Sequence, residues 1–248
     1  MDWIRPADLF LFVAFWSLSA GYVLRRGLKA WLEERGAGEW IIDCLNLAFQ
    51  GAVIPILQAW FVATMLAGVL PEYQGSLAVP PWAAFLLCFV LVDYGYYWNH
   101  RLLHIPALWP LHHTHHSSPR MDVWVTSRNT LWTSFFILYL WVNGALIYLT
   151  GHLEMVVWAA ALTAALDLWR HSGLELGPRL SKLVGSVLIT PNDHAWHHAR
   201  DKYNINYGAN FSLWDRMHGT LYRDGHAPES IGVDPPGNLF QQLVWPYR

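Results

Sequence analysis

The sequence is poor in charged residues and in cysteine. Only 14% of its 248 residues are charged, against about 25% in ordinary soluble proteins. Both cysteines, Cys44 and Cys88, lie inside apolar stretches, so we expect neither a disulfide nor a redox pair. The formal net charge of −2 gives no reason to expect nucleic acid as a partner.

Motifs that bind common redox cofactors are also missing. The sequence contains no G-x-G-x-x-G, no haem-attachment motif and no cysteine-rich cluster. It also lacks H-E-x-x-H, in which a glutamate acts as the general base of a zinc peptidase. Any redox chemistry therefore needs a separate electron-transfer protein or reductase as partner.

Apolar residues are abundant and fall into long runs. They make up 54% of the chain, and the mean hydropathy is +0.21. Several runs approach the roughly 17 to 20 residues that cross a bilayer as a helix. We predict an all-α membrane protein with four to five transmembrane helices. The predicted spans are residues 7–24, 40–70, 82–98, 131–149 and 153–169.

Basic residues predict the orientation of these spans. The loop after the first span holds Arg25, Arg26, Lys29 and Arg35, whereas residues 71–81 contain no lysine or arginine. Because basic loops stay in the cytoplasm, we expect residues 99–130 and 170–220 to form a cytoplasmic, histidine-rich helical cap. The whole chain, 1–248, is predicted to be one membrane-embedded domain with a surface tail at 221–248.

Histidines are concentrated in three boxes at helical spacing. Residues i and i+4 share a helix face, and the two adjacent histidines of H-x-x-H-H diverge by about 100°. Such a pattern suits ligands for two neighbouring metal ions. The boxes are His100-x-x-x-His104, His112-x-x-His115-His116 and His194-x-x-His197-His198.

The boxes predict a nitrogen-rich metal site, since they hold neither cysteine nor glutamate and neutral imidazole binds iron, copper and zinc. An oxidase, a zinc-dependent membrane hydrolase and a metal transporter could each use it. The missing glutamate motif disfavours the hydrolase, and the few polar residues in the spans disfavour the transporter. His113 faces away from His112 and is left outside the predicted site.

Asp93 lies seven residues before His100, on the same predicted helix face and within a span. A charge there costs roughly 2.5 to 3.5 kcal/mol on insertion scales, so it needs a partner. We expect an N–H of His100, His104 or another ligand, with an ion pair to Arg101 as the alternative. Asn206 and Asp215 are further candidates to support the ligands.

The order of the boxes and their flanking residues resembles the fatty acid hydroxylase / sterol desaturase superfamily. The matching motifs cover roughly residues 91–220. They are Asp93-Tyr-Gly-Tyr-Tyr-Trp-Asn-His100-Arg101, Thr190-Pro191, Asn206-Tyr207-Gly208 and Trp214-Asp215-Arg216-Met-His-Gly219-Thr220.

The resemblance implies a non-haem di-iron enzyme that uses O2 to hydroxylate an unactivated C–H bond of a fatty acyl, sterol or alkyl lipid. A desaturase with the same site is the alternative, and zinc can replace iron in purified protein. His171-Ser172-Gly173 resembles a further family motif and adds a ninth ligand. The implied ligands are His100, His104, His112, His115, His116, His171, His194, His197 and His198.

The sequence departs from its relatives at two places. Asp167 stands where some relatives carry a histidine, and it could bind metal, support a ligand or end its helix. Arg128-Asn129-Thr130 stands where many relatives carry Arg-x-His-Pro.

We expect a lipid substrate to enter from the bilayer between the third and fifth spans. Residues one or two turns into the membrane would then line its path, although they could equally pack helix to helix. The predicted lining residues are Val90, Tyr94, Tyr97, Leu162 and Leu166.

Overall fold

The computed structural model describes residues 5–247, so residues 1–4 and 248 of the predicted domain lie outside it. The described chain is all-helical, as predicted, with two isolated β-bridges. Short 3-10 turns occur at Pro71–Tyr73, Val123–Val125 and Thr133–Phe136. The helices are α1 (Pro6–Arg26), α2 (Leu28–Glu33), α3 (Ala37–Val69), α4 (81–103), α5 (Trp109–His116), α6 (Leu138–Thr150), α7 (Leu153–His171), α8 (Pro178–Gly185), α9 (Pro191–His197), α10 (Ser212–Met217) and α11 (Leu239–Leu243).

Two helices, α1 and α3, are long and apolar enough to cross a membrane. Helix α3 has 33 residues, about 50 Å at 1.5 Å per residue, and contains a π-helical turn at Phe49–Val53. The other three predicted spans coincide with α4, α6 and α7, which are shorter or less apolar. The structure therefore supports membrane association, and the count of five spans stays a prediction.

The predicted span 131–149 starts too early, because its helix begins only at Leu138. The preceding polar residues fold inward instead: the carbonyl of Ser134 accepts a hydrogen bond from Gln58 Nε2 at 3.0 Å. Asn99 caps the new helix start by accepting from the Leu138 amide and donating to the Phe136 carbonyl. Residues 131–137 thus join the cap to α3 and α4.

The apolar helices pack closely in pairs. Helix α1 lies against α7, and the second half of α3 lies against α6. Gly144 in α6 permits the second contact, since a Cβ there would lie 2.9 Å from Val62 Cβ and 3.2 Å from the Ala59 backbone.

The segment 221–247 lies largely at the surface, but it is anchored to the cap. Its backbone bonds to two of the boxes: the Gly232 amide donates to the His198 carbonyl and the Val233 amide to the His116 carbonyl. Further along, the Leu131 amide donates to the carbonyl of Leu243. The segment lies across the cap because the boxes leave these carbonyls unpaired at helix ends.

A buried ion-pair network joins α3 to the cap. Asp43 accepts from Arg128 Nε at 2.6 Å and from Arg35 Nε at 3.2 Å. Arg35 also contacts Asp122 at 2.5 Å. All four side chains are almost completely buried, so removing any one would leave an uncompensated charge. The network fixes the backbone around Arg128. The carbonyl of this residue contacts His115.

Candidate metal centre

All nine predicted ligands converge from the ends of α4, α5, α7 and α9. They separate into two groups, and within each group the candidate ligand atoms lie within 4.8 Å of one another. The five-histidine group is His100, His104, His112, His116 and His197; the four-histidine group is His115, His171, His194 and His198. The two adjacent histidine pairs, 115–116 and 197–198, each contribute one residue to each group, as the 100° divergence predicts.

The remaining histidines lie outside both groups. His113 Nε2 donates to the carbonyl of Asp234 at 2.8 Å, and His152 Nε2 to that of Val79 at 2.8 Å. His218 Nε2 lies 3.1 Å from the Tyr94 hydroxyl, and His226 Nδ1 lies 3.4 Å from Asp224.

Burial lowers the pKa of eight of the nine rings. Burial lowers the pKa of His100 to about 4, because desolvation penalises the charged imidazolium. The same cause holds the pKa of His112, His115, His194 and His197 well below the usual range. Neutral imidazole is the form that binds metal ions.

One ring pair tests directly whether the residues fit a metal. His115 Nδ1 donates to the Arg128 carbonyl at 3.1 Å, and His171 Nδ1 donates to the Asp167 carbonyl at 2.9 Å. In its neutral form each ring then presents an Nε2 lone pair, and these two Nε2 atoms lie 3.3 Å apart. Two facing lone pairs repel unless a cation lies between them, so the geometry fits a metal ion.

The five-histidine group is oriented by one loop. Its His197 Nδ1 donates to the Ile205 carbonyl at 2.7 Å and its His100 Nδ1 to the Tyr207 carbonyl at 2.8 Å. Asn204 Oδ1 lies 3.3 Å from His104 Nδ1. These bonds fix the tautomer and aim Nε2 inward. Sequence reasoning missed Ile205 and Tyr207 because they act through the backbone, which leaves no side-chain pattern.

Two of the predicted supporting residues hold this loop. Asp215 accepts from the amides of Tyr207 and Gly208, both at 2.7 Å, and from the Thr220 hydroxyl. Asn206, at a positive φ of 52°, donates to the Asp193 carbonyl at 2.7 Å and accepts from the Tyr222 amide. Neither side chain belongs to a histidine group; both act on ligands through the loop backbone.

The prediction that Asp93 bonds to a ligand histidine is wrong, and so is the alternative ion pair with Arg101. Its carboxylate accepts from the amides of Asn210 and Phe211 and from the Trp214 indole N–H, the last at 2.7 Å. Three N–H donors satisfy the buried charge. Asp93 therefore fastens the far end of the loop to α4.

Asp167 lies behind His171 of the four-histidine group, and metal binding by its carboxylate stays a prediction. Its Oδ1 lies 2.9 Å from His171 Nδ1 and 2.7 Å from Arg170 Nη2. Its position four residues before His171 brings the two side chains onto one face of α7. A carboxylate behind a histidine strengthens that ring as a ligand.

A small cavity of about 70 Å³ adjoins both histidine groups. His100 and His112 line it from one group, and His115, His171 and His194 from the other. Other polar residues of its lining were not among the predicted site residues. They are Gln50, Thr126, Ser127, Asn129, Thr133 and Ser134. Gln50 carried a signal: it is a polar residue inside an apolar run.

The predicted substrate-lining residues do not line this cavity. Tyr97 is fully buried and packs with Tyr207 and Trp214, against which Val90 and Tyr94 also lie. Tyr96, one residue earlier, faces the cavity instead, because each residue turns the helix face by 100°. Leu162 and Leu166 on α7 are absent from its lining as well.

The sequence pattern of the fatty acid hydroxylase family matches residues 85–220, just over half of the chain. This range contains both histidine groups, the loop at 204–207 and the residues that hold the loop. The chain therefore belongs to the fatty acid hydroxylase family.

Characterised relatives act on lipids. An ornithine lipid hydroxylase of Rhizobium tropici is 34% identical over 172 residues, covering 65% of this chain and 50% of that protein. An alkylglycerol monooxygenase of Danio rerio is 34% identical over 240 residues, covering 91% and 50%. One of Xenopus tropicalis is 34% identical over 173 residues, covering 65% and 35%. The chain thus spans half or less of the length of these relatives, and no solved structure matches it.

Proposed function

We propose that the protein is an O2-dependent di-iron oxidoreductase that hydroxylates a C–H bond of a lipid. The observation that carries the proposal is the division of nine imidazoles into groups of five and four. Each group can hold one metal ion, whereas a zinc hydrolase needs about three protein ligands and one metal. The lipid hydroxylase and monooxygenase relatives support oxygenation as the reaction.

Two bound irons would supply the activation of dioxygen and the attack on an unactivated C–H bond. The chain's own residues orient and protect that site. Carbonyls at 128, 167, 205 and 207 fix the ring tautomers, and burial excludes bulk water. Arg170 holds Asp167 in place behind His171.

The overall reaction fixes what must be supplied from outside. One oxygen atom enters the substrate C–H bond. The other is reduced to water by two electrons and two protons. A separate reductase or electron carrier must supply these electrons. In the alternative desaturation, two C–H bonds break and both oxygen atoms leave as water.

The proposal places the enzyme in a membrane through five spans, with both histidine groups at the cytoplasmic face. The apolar helices α1 and α3 support the location. The basic residues between them, including Arg25, Arg26 and Lys29, support the orientation.

The decisive test is metal content together with oxygen use by protein loaded with iron. We expect two irons per chain, lipid-dependent oxygen uptake with a generic reductase, and a product carrying one atom from isotopically labelled O2. A dehydrogenated product without label would identify a desaturase. Product formed without oxygen by a zinc-loaded protein would identify a hydrolase and overturn the proposal.

A further inference from the structure

Two short helices of the cap expose apolar side chains near the histidine box at 194–198. Helix α8 and the turn after it carry exposed Leu180, Leu183 and Val187, which share one helix face because they stand at i, i+3 and i+7. Helix α10 adds Leu213 and Met217, which are 46% and 60% exposed. Apolar side chains that cluster at a surface mark an interaction site, whereas isolated ones do not.

The two helices form one surface because hydrogen bonds join their ends. The Ser212 amide donates to the Val187 carbonyl at 2.9 Å, and the guanidinium of Arg216 donates to the Ser186 carbonyl at 3.3 Å. Together they form the α8–α10 surface. Its exposed residues are Arg179, Leu180, Lys182, Leu183, Val187, Leu213, Arg216 and Met217.

The charge on this surface is positive. Arg179 and Lys182 each precede an exposed leucine of α8, and Arg216 is exposed on α10. Asp215 is the one acidic residue in the sequences of these two helices. It is buried and accepts three hydrogen bonds inside the protein. An apolar face flanked by basic side chains is typical of helices that lie in a membrane interface.

Contacts with α1 place the start of α8 near the depth at which α1 leaves the bilayer. Arg25, at the basic end of α1, donates to the Gly173 carbonyl at 3.2 Å and lies 3.7 Å from Glu175. One turn earlier in α1, a Cβ at Gly21 would lie 3.0 Å from Leu174. Helix α8 begins three residues after Glu175, which is at most about 11 Å of chain.

Depth and charge together favour a lipid surface as the partner. At this depth the leucines of α8 can enter the acyl region, while the longer basic side chains extend to the phosphates. The cytoplasmic leaflet carries anionic lipids, and each nearby lysine or arginine strengthens attraction to them. A zwitterionic lipid has no net charge and would not benefit from the three cations in the same way.

We infer that the α8–α10 surface binds anionic phospholipid at the membrane interface, with its apolar side chains below the head groups and Arg179, Lys182 and Arg216 among them. The inference rests on the proposed membrane location and not on the proposed reaction. Three residues, 188–190, separate the surface from α9. The bound lipid therefore also holds the segment from which this histidine box begins.

The lysines provide a direct test, because the chain has three of them, Lys29, Lys182 and Lys202. Full-length protein is placed in nanodiscs of phosphatidylcholine alone or of an equal mixture with phosphatidylglycerol, and a water-soluble reagent acylates its amines. Mass spectrometry then gives the rate at each lysine. We expect phosphatidylglycerol to slow acylation of Lys182 about fivefold, the attraction of one basic residue, and to leave exposed Lys202 unchanged. High salt should restore the rate, since it screens the charges.

Leu183→Gln tests the apolar part of the surface. This side chain is 69% exposed, so the fold does not depend on it. We expect the variant to lose the protection of Lys182 by phosphatidylglycerol. Phe240→Gln is the matched control, because Phe240 is 62% exposed and lies outside the α8–α10 surface; it should keep the protection. Equal protection in the two variants would overturn the role of the apolar face.

The remaining outcomes separate the possible partners. Equal acylation of Lys182 in the two lipid mixtures would overturn the binding of anionic lipid. Protection that persists in detergent and increases with protein concentration would identify a second copy of the chain as the partner instead. Protein recovered outside the nanodiscs would overturn the membrane location itself, so that failure is distinguishable from failure of this surface.

Discussion

The five-histidine and four-histidine groups differ in what lies behind their rings. Behind the first is a loop that offers the carbonyls of Ile205 and Tyr207. Behind the second are the Asp167 carboxylate, on the same helix as its histidine, and the Arg128 carbonyl. The comparison teaches that the orientation of one histidine group depends on loop conformation and that of the other on charge and a rigid helix.

Removing one ligand from each group should give the largest difference. His171→Ala leaves three ligands in its group, so we expect one metal per chain and no detectable turnover. His104→Ala leaves four, so we expect two metals with weaker binding. Metal content after gel filtration measures both, with His113→Ala as the control from outside the groups. If the two variants lose metal equally, ligand number does not distinguish the groups.

Asp167→Asn should weaken one metal position selectively. The substitution removes the negative charge 2.9 Å from His171 Nδ1, and losses of this kind cost about 10- to 100-fold in metal affinity. Competition with a chelator should show one weakened metal and one unchanged. Equal weakening of both metals would show that the groups are coupled through their shared helices.

Asp215→Asn should weaken the other metal position by a smaller factor, about tenfold. An amide cannot accept from all three of its donors, the Tyr207 and Gly208 amides and the Thr220 hydroxyl, without reorienting. The Tyr207 carbonyl then shifts behind His100. Chelator competition again provides the measurement, and exposed Asp201→Asn is the control. Unchanged metal affinity would make Asp215 a purely structural residue.

Asp93→Asn should have the smallest effect on metals. We expect metal affinity to fall by less than the roughly 10- to 100-fold typical of losing a residue that bonds directly to a ligand. Asp93 contacts the loop only from Asn210 onwards, after the carbonyls that orient the histidines. Its main effect should be a lower melting temperature, since the substitution disturbs three buried hydrogen bonds. A metal loss as large as that of Asp167→Asn would contradict this ranking.

Histidine spacing predicted which side chains form the site, because ligand pairs at i, i+3 and i+4 are a local helical property. The prediction of His171 depended on the resemblance to a family motif, since a lone histidine at a helix end has no local pattern. The backbone carbonyls of Arg128 and Tyr207 could not be predicted, as any residue supplies a carbonyl. Which of Tyr96 and Tyr97 faces the cavity could not be predicted, because the rotation of a helix relative to its neighbours depends on tertiary packing.

The bonds from Gly232 and Val233 to the carbonyls of His198 and His116 set an order of events during biosynthesis. Translation proceeds from the N-terminus at about 5 to 20 residues per second, so all three boxes leave the ribosome before Gly232 and Val233 do. His116 belongs to the five-histidine group and His198 to the four-histidine group. The two histidine groups are therefore joined by a segment that is made late, and a nascent chain halted near residue 225 would contain all nine histidines but lack these two hydrogen bonds.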